Sequence, residues 1–173
     1  MPAPGSPRSA FAHRPFRWVF CGSFASNIGT WMQNVALIAF ADRISHDPAF
    51  VGIVTFAQLG PMLLISPFGG VLADRVDRKV LMISAAAVQM VMSLCLAVVA
   101  NTADPSRTAI VLCVLGIGLA AACNGPAAQA TLPALVGRAD LPGAVSLNSA
   151  QMNASRVLGP LLAVLPFLHR PSV

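Results

Sequence analysis

The chain has 173 residues, 56% of them hydrophobic and 10% charged, with a formal net charge of +5. Soluble domains carry about 25% charged residues, and a core of this size cannot hide so much apolar side chain, so an ordinary water-soluble domain is excluded and lipid is the natural solvent. Nucleic acid is not implied as a partner, because there is no Tyr and no interleaving of basic with aromatic residues, and the cations stand at the ends of apolar runs.

A bilayer core about 30 Å thick takes about 20 helical residues to cross, and five apolar runs bounded by charge meet that length. Residues 1–17 read as a cytoplasmic tail carrying Arg8, Arg14 and Arg17. The first run, 18–41, is "WVFCGSFASNIGTWMQNVALIAFA". It is too long and too rich in Asn and Gln for a cleaved signal segment, and further runs follow it, so it reads as a retained span. Within it Ser23, Asn27, Thr30 and Asn34 recur at helical spacing and share one face. Hydrocarbon offers such a stripe no hydrogen-bond partners. Asn27, Thr30 and Asn34 are therefore candidates for lining a substrate cavity, with hydrogen bonding between helices as the competing reading.

The second run, 49–73, leads into "GGVLADRVDRKVLM", where Asp74, Arg75, Asp77, Arg78 and Lys79 crowd together. The third, 80–100, is closed by "NTADPSR", and the fourth runs from 108 to about 132. The fifth, 145–168, holds a second polar stripe of Ser149, Asn153 and Arg156, and residues 169–173 form a short tail. Arg156 is the one charge well inside any run. A cation at that depth costs on the order of several kcal/mol unless paired or wet, which makes it a functional candidate together with Asn153. Snorkelling, or binding to helix-end carbonyls, would account for Arg156 equally well.

Gly60 and Pro61, Pro67, Gly125 and Pro126, and Gly159 and Pro160 fall inside the runs. They read as kinks and close-packing points rather than as ligands. Cys21, Cys95, Cys113 and Cys123 have neither Cys-x-x-Cys spacing nor nearby His, and read as small buried hydrophobes. His13, His46 and His169 lie in separate connections, so no metal site is expected.

Orientation follows from the basic residues, because cytoplasmic loops carry the excess. With the N-terminus inside, the inner segments hold Arg8, Arg14, Arg17, Arg75, Arg78, Lys79 and Arg138, and the outer loops hold Arg43 and Arg107. Proton coupling needs a carboxylate whose pKa burial has raised. The chain has no Glu, and its six Asp lie in loops or at run ends. Asp42, closing the first run, is the nearest candidate.

The charged stretch has a physical logic of its own. Gly70 permits close approach of a neighbouring helix, Asp74 can accept from the N–H groups of a helix start, and Arg75, Arg78 and Lys79 can pair with acids or helix-end carbonyls. Such a cluster could latch two helical bundles on one side of a membrane; alternatively, its cations simply meet anionic lipid. The spacing of Gly70, Asp74, Arg75, Arg78 and Lys79 resembles the signature between the second and third helices of the major facilitator superfamily of secondary transporters. That pattern usually has Gly where Asp77 stands. "ADRVDRK" is similar to the drug and siderophore exporter branch, which includes the enterobactin exporter and macrolide efflux pumps. "WMQNVAL", "VGIVTFAQLGPMLLISPFGGVLADR" and "NGPAAQATLPALVGRADLPGAVSLNSAQMNASRVLGP" extend the resemblance over about residues 16–163.

The resemblance implies an all-α, polytopic transmembrane bundle in the inner membrane, part of the N-terminal six-helix bundle of a twelve-helix transporter. It implies efflux of a small amphipathic molecule by alternating access, with Gly70, Asp74, Arg75, Asp77, Arg78 and Lys79 as a gate motif and no cofactor. Members continue through a sixth helix and a second half, whereas this sequence stops at Val173. The expectation is thus a truncated or frameshifted product that does not transport alone, or a chain that pairs with a second half or with its own copies. Nothing points to an enzyme: no nucleophile–base pair, phosphate-binding loop or metal spacing is present.

Overall fold

The computed structural model describes residues 5–75 and 77–168, with side chains described except at 65–75, 78, 126–127, 130 and 165–168. Among the described residues all regular structure is helical: α1 (Pro7–Ala12), α2 (Arg14–Ser45), α3 (Pro48–Arg75), α4 (Arg78–Ala100) and α5 (Arg107–Leu168). The last is not one rod. Gly137, at φ 74° and ψ 169°, occupies a region open essentially to glycine alone. It divides α5 into segments 107–136 and 138–168. Sequence reading leaves a twelve-residue connection at 133–144; the chain instead stays helical through it except at this one residue, because Gly137 alone supplies the turn.

Helix ends are closed locally. Ser6 Oγ accepts from the Ser9 N–H at 3.2 Å, with Pro7 opening α1. After α2, His46 takes a left-handed φ of 48°, and its N–H donates to the Asp42 carbonyl at 2.9 Å. Asp47 then accepts from the Ala49 N–H at 2.9 Å, and Pro48 begins α3. Asn101 closes α4 by donating its side-chain amide to the Ala97 carbonyl at 2.7 Å.

Two compact units make up the chain, Met1–Ala39 with Leu132–Val173, and Phe40–Thr131. In the first unit, Ala10, Phe16, Val136 and Ala144 are buried together, with Phe20, Leu132, Leu135 and Leu147 packed around them. Phe11, Phe16 and Phe20 continue this core as an aromatic cluster, with Phe11 edge-on to the other two and centroids 4.9–5.9 Å apart. Gly143 lies against the Ser6 and Gly5 carbonyls, and Gly159 lies against the Trp31 side chain and the Ile28–Met32 backbone. Small residues thus set how closely segment 138–168 approaches α1 and α2.

In the second unit, Phe50, Val54 and Ala57 form the buried stripe of α3, and Ile110, Val114 and Ile117 that of segment 107–136. A Cβ on Gly118 would meet the Gln58 carbonyl oxygen at 2.5 Å and that of Ala57 at 2.8 Å. The Arg107 guanidinium lies 5.4 Å over the Phe50 ring. These two contacts make α3 and segment 107–136 run side by side in the same direction. Lys79–Ala100 and Arg107–Gly125 are each long and apolar enough to cross a membrane. Only 11% of the first is buried, so Val80, Ile83, Met90, Leu94 and Val98 point outward. A soluble core helix of that composition would be covered; an outward apolar face needs lipid. The same argument corrects the expectation for the cysteines, since Cys21 and Cys95 are exposed and Cys113 and Cys123 only half-buried. Small apolar side chains facing lipid need no protein core.

Candidate functional site

In the first unit the structure brings Arg156 of segment 138–168 over Trp31 of α2. Trp31 lies one turn from Asn27 and from Asn34 on α2, and the guanidinium of Arg156 stands 5.3 Å over its ring. Gly159, one turn beyond Arg156, makes this possible: without a Cβ it lets the two backbones approach so that the Arg side chain reaches the indole. Thr30 donates its hydroxyl to the Ser26 carbonyl at 3.0 Å, and Asn153 its amide to the Ser149 carbonyl at 2.9 Å. Asn27 and Asn34 are half-buried, whereas Asn153 and Arg156 are exposed.

Sequence reasoning missed two parts of this site. Trp31 is the aromatic plate beneath the cation, hidden among the residues of an apolar run. Gln151 is buried; its amide donates to Asn148 Oδ1 at 3.0 Å, while its own side-chain oxygen has no donor among the described residues. Asn148, Gln151, Ser155 and Gly159 recur at helical spacing, which is the signal that could have revealed this inner face. Ser155, fully buried, donates to the Gln151 carbonyl at 2.8 Å.

In the charged stretch, Gly70, Asp74 and Arg75 belong to the last turns of α3, but their side chains, like that of Arg78, lie outside the described residues. Asp77 caps α4, accepting from the Lys79 N–H at 2.8 Å and the Val80 N–H at 3.4 Å. Lys79 is exposed in the first turn. Asp42 sits exposed in the last turn of α2.

A further cluster joins positions 127 residues apart. His13 Nε2 and Asp140 Oδ2 are 2.9 Å apart, and the Gly5 N–H donates to Asp140 Oδ1 at 3.1 Å. The His13 contact foremost, then the Ser9 hydroxyl and the Gly5 N–H, hold the Asp140 carboxyl down to about 2. Among the described residues this is the one close pairing of a basic with an acidic side chain, and no group of three or more His, Cys, Asp or Glu could hold a metal ion.

Residues 5–167 match the transmembrane secretion effector family. The staphyloferrin A transporter of Staphylococcus aureus (strain NCTC 8325 / PS 47) is 32% identical over 160 residues, covering 90% of this chain and 40% of that protein. The enterobactin exporter EntS of Salmonella typhi is 32% identical over 150 residues, covering 87% of this chain and 36% of the relative. That of Shigella boydii serotype 4 is 31% identical over 153 residues, covering 88% and 37%. The chain thus spans about two fifths of the length of these curated relatives. No solved structure matches it. With its helices, its outward apolar faces and a match over nearly its whole length, the chain belongs to the transmembrane secretion effector family of the major facilitator superfamily.

Proposed function

We propose that this chain forms the first five membrane-crossing helices of a secondary exporter, over about 18–41, 49–73, 80–100, 108–132 and 145–168, with its N-terminus in the cytoplasm of a cell bounded by an inner membrane. The bundle works against a second one, rocking to carry a small amphipathic molecule, siderophore-like or drug-like, outward. The observation that carries this reading is the family match over residues 5–167. The names of the relatives favour export of an iron-chelating molecule.

Within that cycle, Asn27, Thr30, Asn34, Asn153 and Arg156 line the substrate path. Gly70, Asp74, Arg75, Arg78 and Lys79 hold the cytoplasmic side closed against the opposite bundle, with Asp77 fixing the turn between them. Asp42 is the coupling candidate within this chain. The steep clustering of cations at 75, 78 and 79, set against the sparse basic residues of the other loops, supports the inward placement of this stretch.

A chimera tests the proposal. Residues 5–167 would replace the matching portion of the staphyloferrin A transporter, and cells carrying it would be assayed for efflux of a panel of amphipathic fluorescent molecules and of staphyloferrin A. Efflux above empty-vector cells is the expected result. A chimera inserted at the normal level that exports none of them would overturn the reading.

A further inference from the structure

In the second unit α4 and segment 107–136 lie side by side and antiparallel, and two contacts fix their register. A Cβ on Gly116 would meet Met92 Cγ and Sδ at 2.9 Å, and toward the other end the Thr131 hydroxyl donates to Met82 Sδ at 3.7 Å. From the level of Met92 and Gly116, three residues forward on α4 and three back on its neighbour lead to Cys95 and Cys113. Residues three apart share a helix face. In an antiparallel pair both steps run the same way, by about 4.5 Å at 1.5 Å per residue, so the two cysteines stand at one level, a turn from a touching pair. Cys95 lies within electrostatic range of Cys113.

A disulfide tolerates about 4.4–6.8 Å between Cα atoms, which two helices reach where a small residue lets their backbones close up. Gly116 is that residue here, since Met92 lies where its side chain would be. Cys95 is exposed and Cys113 half-buried. This asymmetry suits a two-step oxidation, in which an accessible thiol reacts first and a covered neighbour resolves it.

We propose that Cys95 and Cys113 are a redox pair, oxidised by peroxide to a disulfide that staples α4 to segment 107–136. The Cys95 sulfur, losing its proton, attacks the peroxide; an S–O bond forms, the O–O bond breaks, and the departing hydroxide takes that proton away as water. The Cys113 sulfur then attacks the sulfenic sulfur; the S–S bond forms, the S–O bond breaks, and a second water leaves with the Cys113 proton. Two electrons pass from the thiols to the peroxide. Both cysteines lie within two turns of the connection 101–106, which the proposed topology puts on the outer side, where disulfides persist. The staple itself stands without that topology.

The full chain in non-ionic detergent would be treated with hydrogen peroxide, its remaining thiols capped with N-ethylmaleimide, and its peptides mapped by mass spectrometry with and without dithiothreitol. Capping of Cys95 and Cys113 should fall together, at least tenfold, and the two should appear in one linked peptide that dithiothreitol splits, while Cys21 and Cys123 stay capped. Cys113→Ser should leave Cys95 as a sulfenic acid that dimedone traps, with no linked peptide. Leu94, two residues from Met92, lies on the far side of α4 and is exposed, so Cys95→Ser combined with Leu94→Cys should abolish the linkage. Linkage from position 94 as efficient as from 95 would mean that motion rather than register joins the thiols, and overturns the proposal. So does a link between the Cys95 residues of two chains, a dimedone adduct at Cys95 of the unsubstituted chain without linkage, or capping that peroxide leaves unchanged. None of these readouts depends on efflux, so their failure leaves the export reading untouched.

Discussion

Asp140 accepts from a backbone N–H of the N-terminal segment and from a side chain at its far end, so one carboxylate pins both ends of α1. Its carboxyl is held at about 2 in the fold, against about 3.9 in an unfolded chain. Because the folded value is the lower one, the stabilisation is fully present above about pH 4 and is lost as pH falls through about 2. A nitroxide at position 8, in a protein whose native cysteines are replaced, should be immobilised at pH 7 and freed progressively below about pH 4. Asp140→Asn should free it already at pH 7 and flatten the pH dependence; an immobile label in that variant would mean that the apolar contacts of Ala10 and Phe16 hold the segment unaided.

At the scale of helices, the contacts separate glycines that must be glycine from those that need not be. Gly118→Ala should drive α3 and segment 107–136 apart, since the added carbon would meet two carbonyl oxygens of α3; overpacking of this kind costs about 1–3 kcal/mol. Gly22→Ala, with nothing within 4 Å, should be neutral or stabilise α2 by up to about 1 kcal/mol. Thermal unfolding in detergent checks both, and equal midpoints would refute the close approach. The start of α4 offers a second comparison. Asp77→Ala removes the acceptor for two N–H groups and should cost about 1 kcal/mol, whereas Asp77→Ser should keep most of it. Asp77→Gly should lose little, because glycine caps nearly as well.

For the molecule as a whole, the apolar runs were legible because a lipid-facing helix must be apolar along its length, and α3 (Pro48–Arg75) and α4 (Arg78–Ala100) coincide with runs drawn from composition alone. The polar stripe of α2 was visible as a repeat in one segment. The contact of α2 with Arg156 was not, because that depends on Gly159 and Trp31, residues ordinary in sequence and decisive only once the backbones touch. The docking of α1 was equally hidden: six residues make no stable helix alone, and its partner Asp140 lies more than a hundred positions away. Gly137 read as one glycine among thirteen until its backbone angles marked the break. The proposed topology has its own check. With the native cysteines replaced, a cysteine at Asp104 should react with a membrane-impermeant maleimide in intact cells, and one at Lys79 only after permeabilisation; the reverse pattern would invert the orientation.

The tether between the amino-terminal turn and Asp140 also imposes a parity rule. A thread pinned to itself at two points on one face of a sheet must have pierced that sheet an even number of times in between. In the proposed topology both partners lie on the cytoplasmic side, and the four runs between His13 and Asp140 satisfy this rule where three would not. The 2.9 Å contact thus bears on the proposed count of crossings without reference to hydrophobicity.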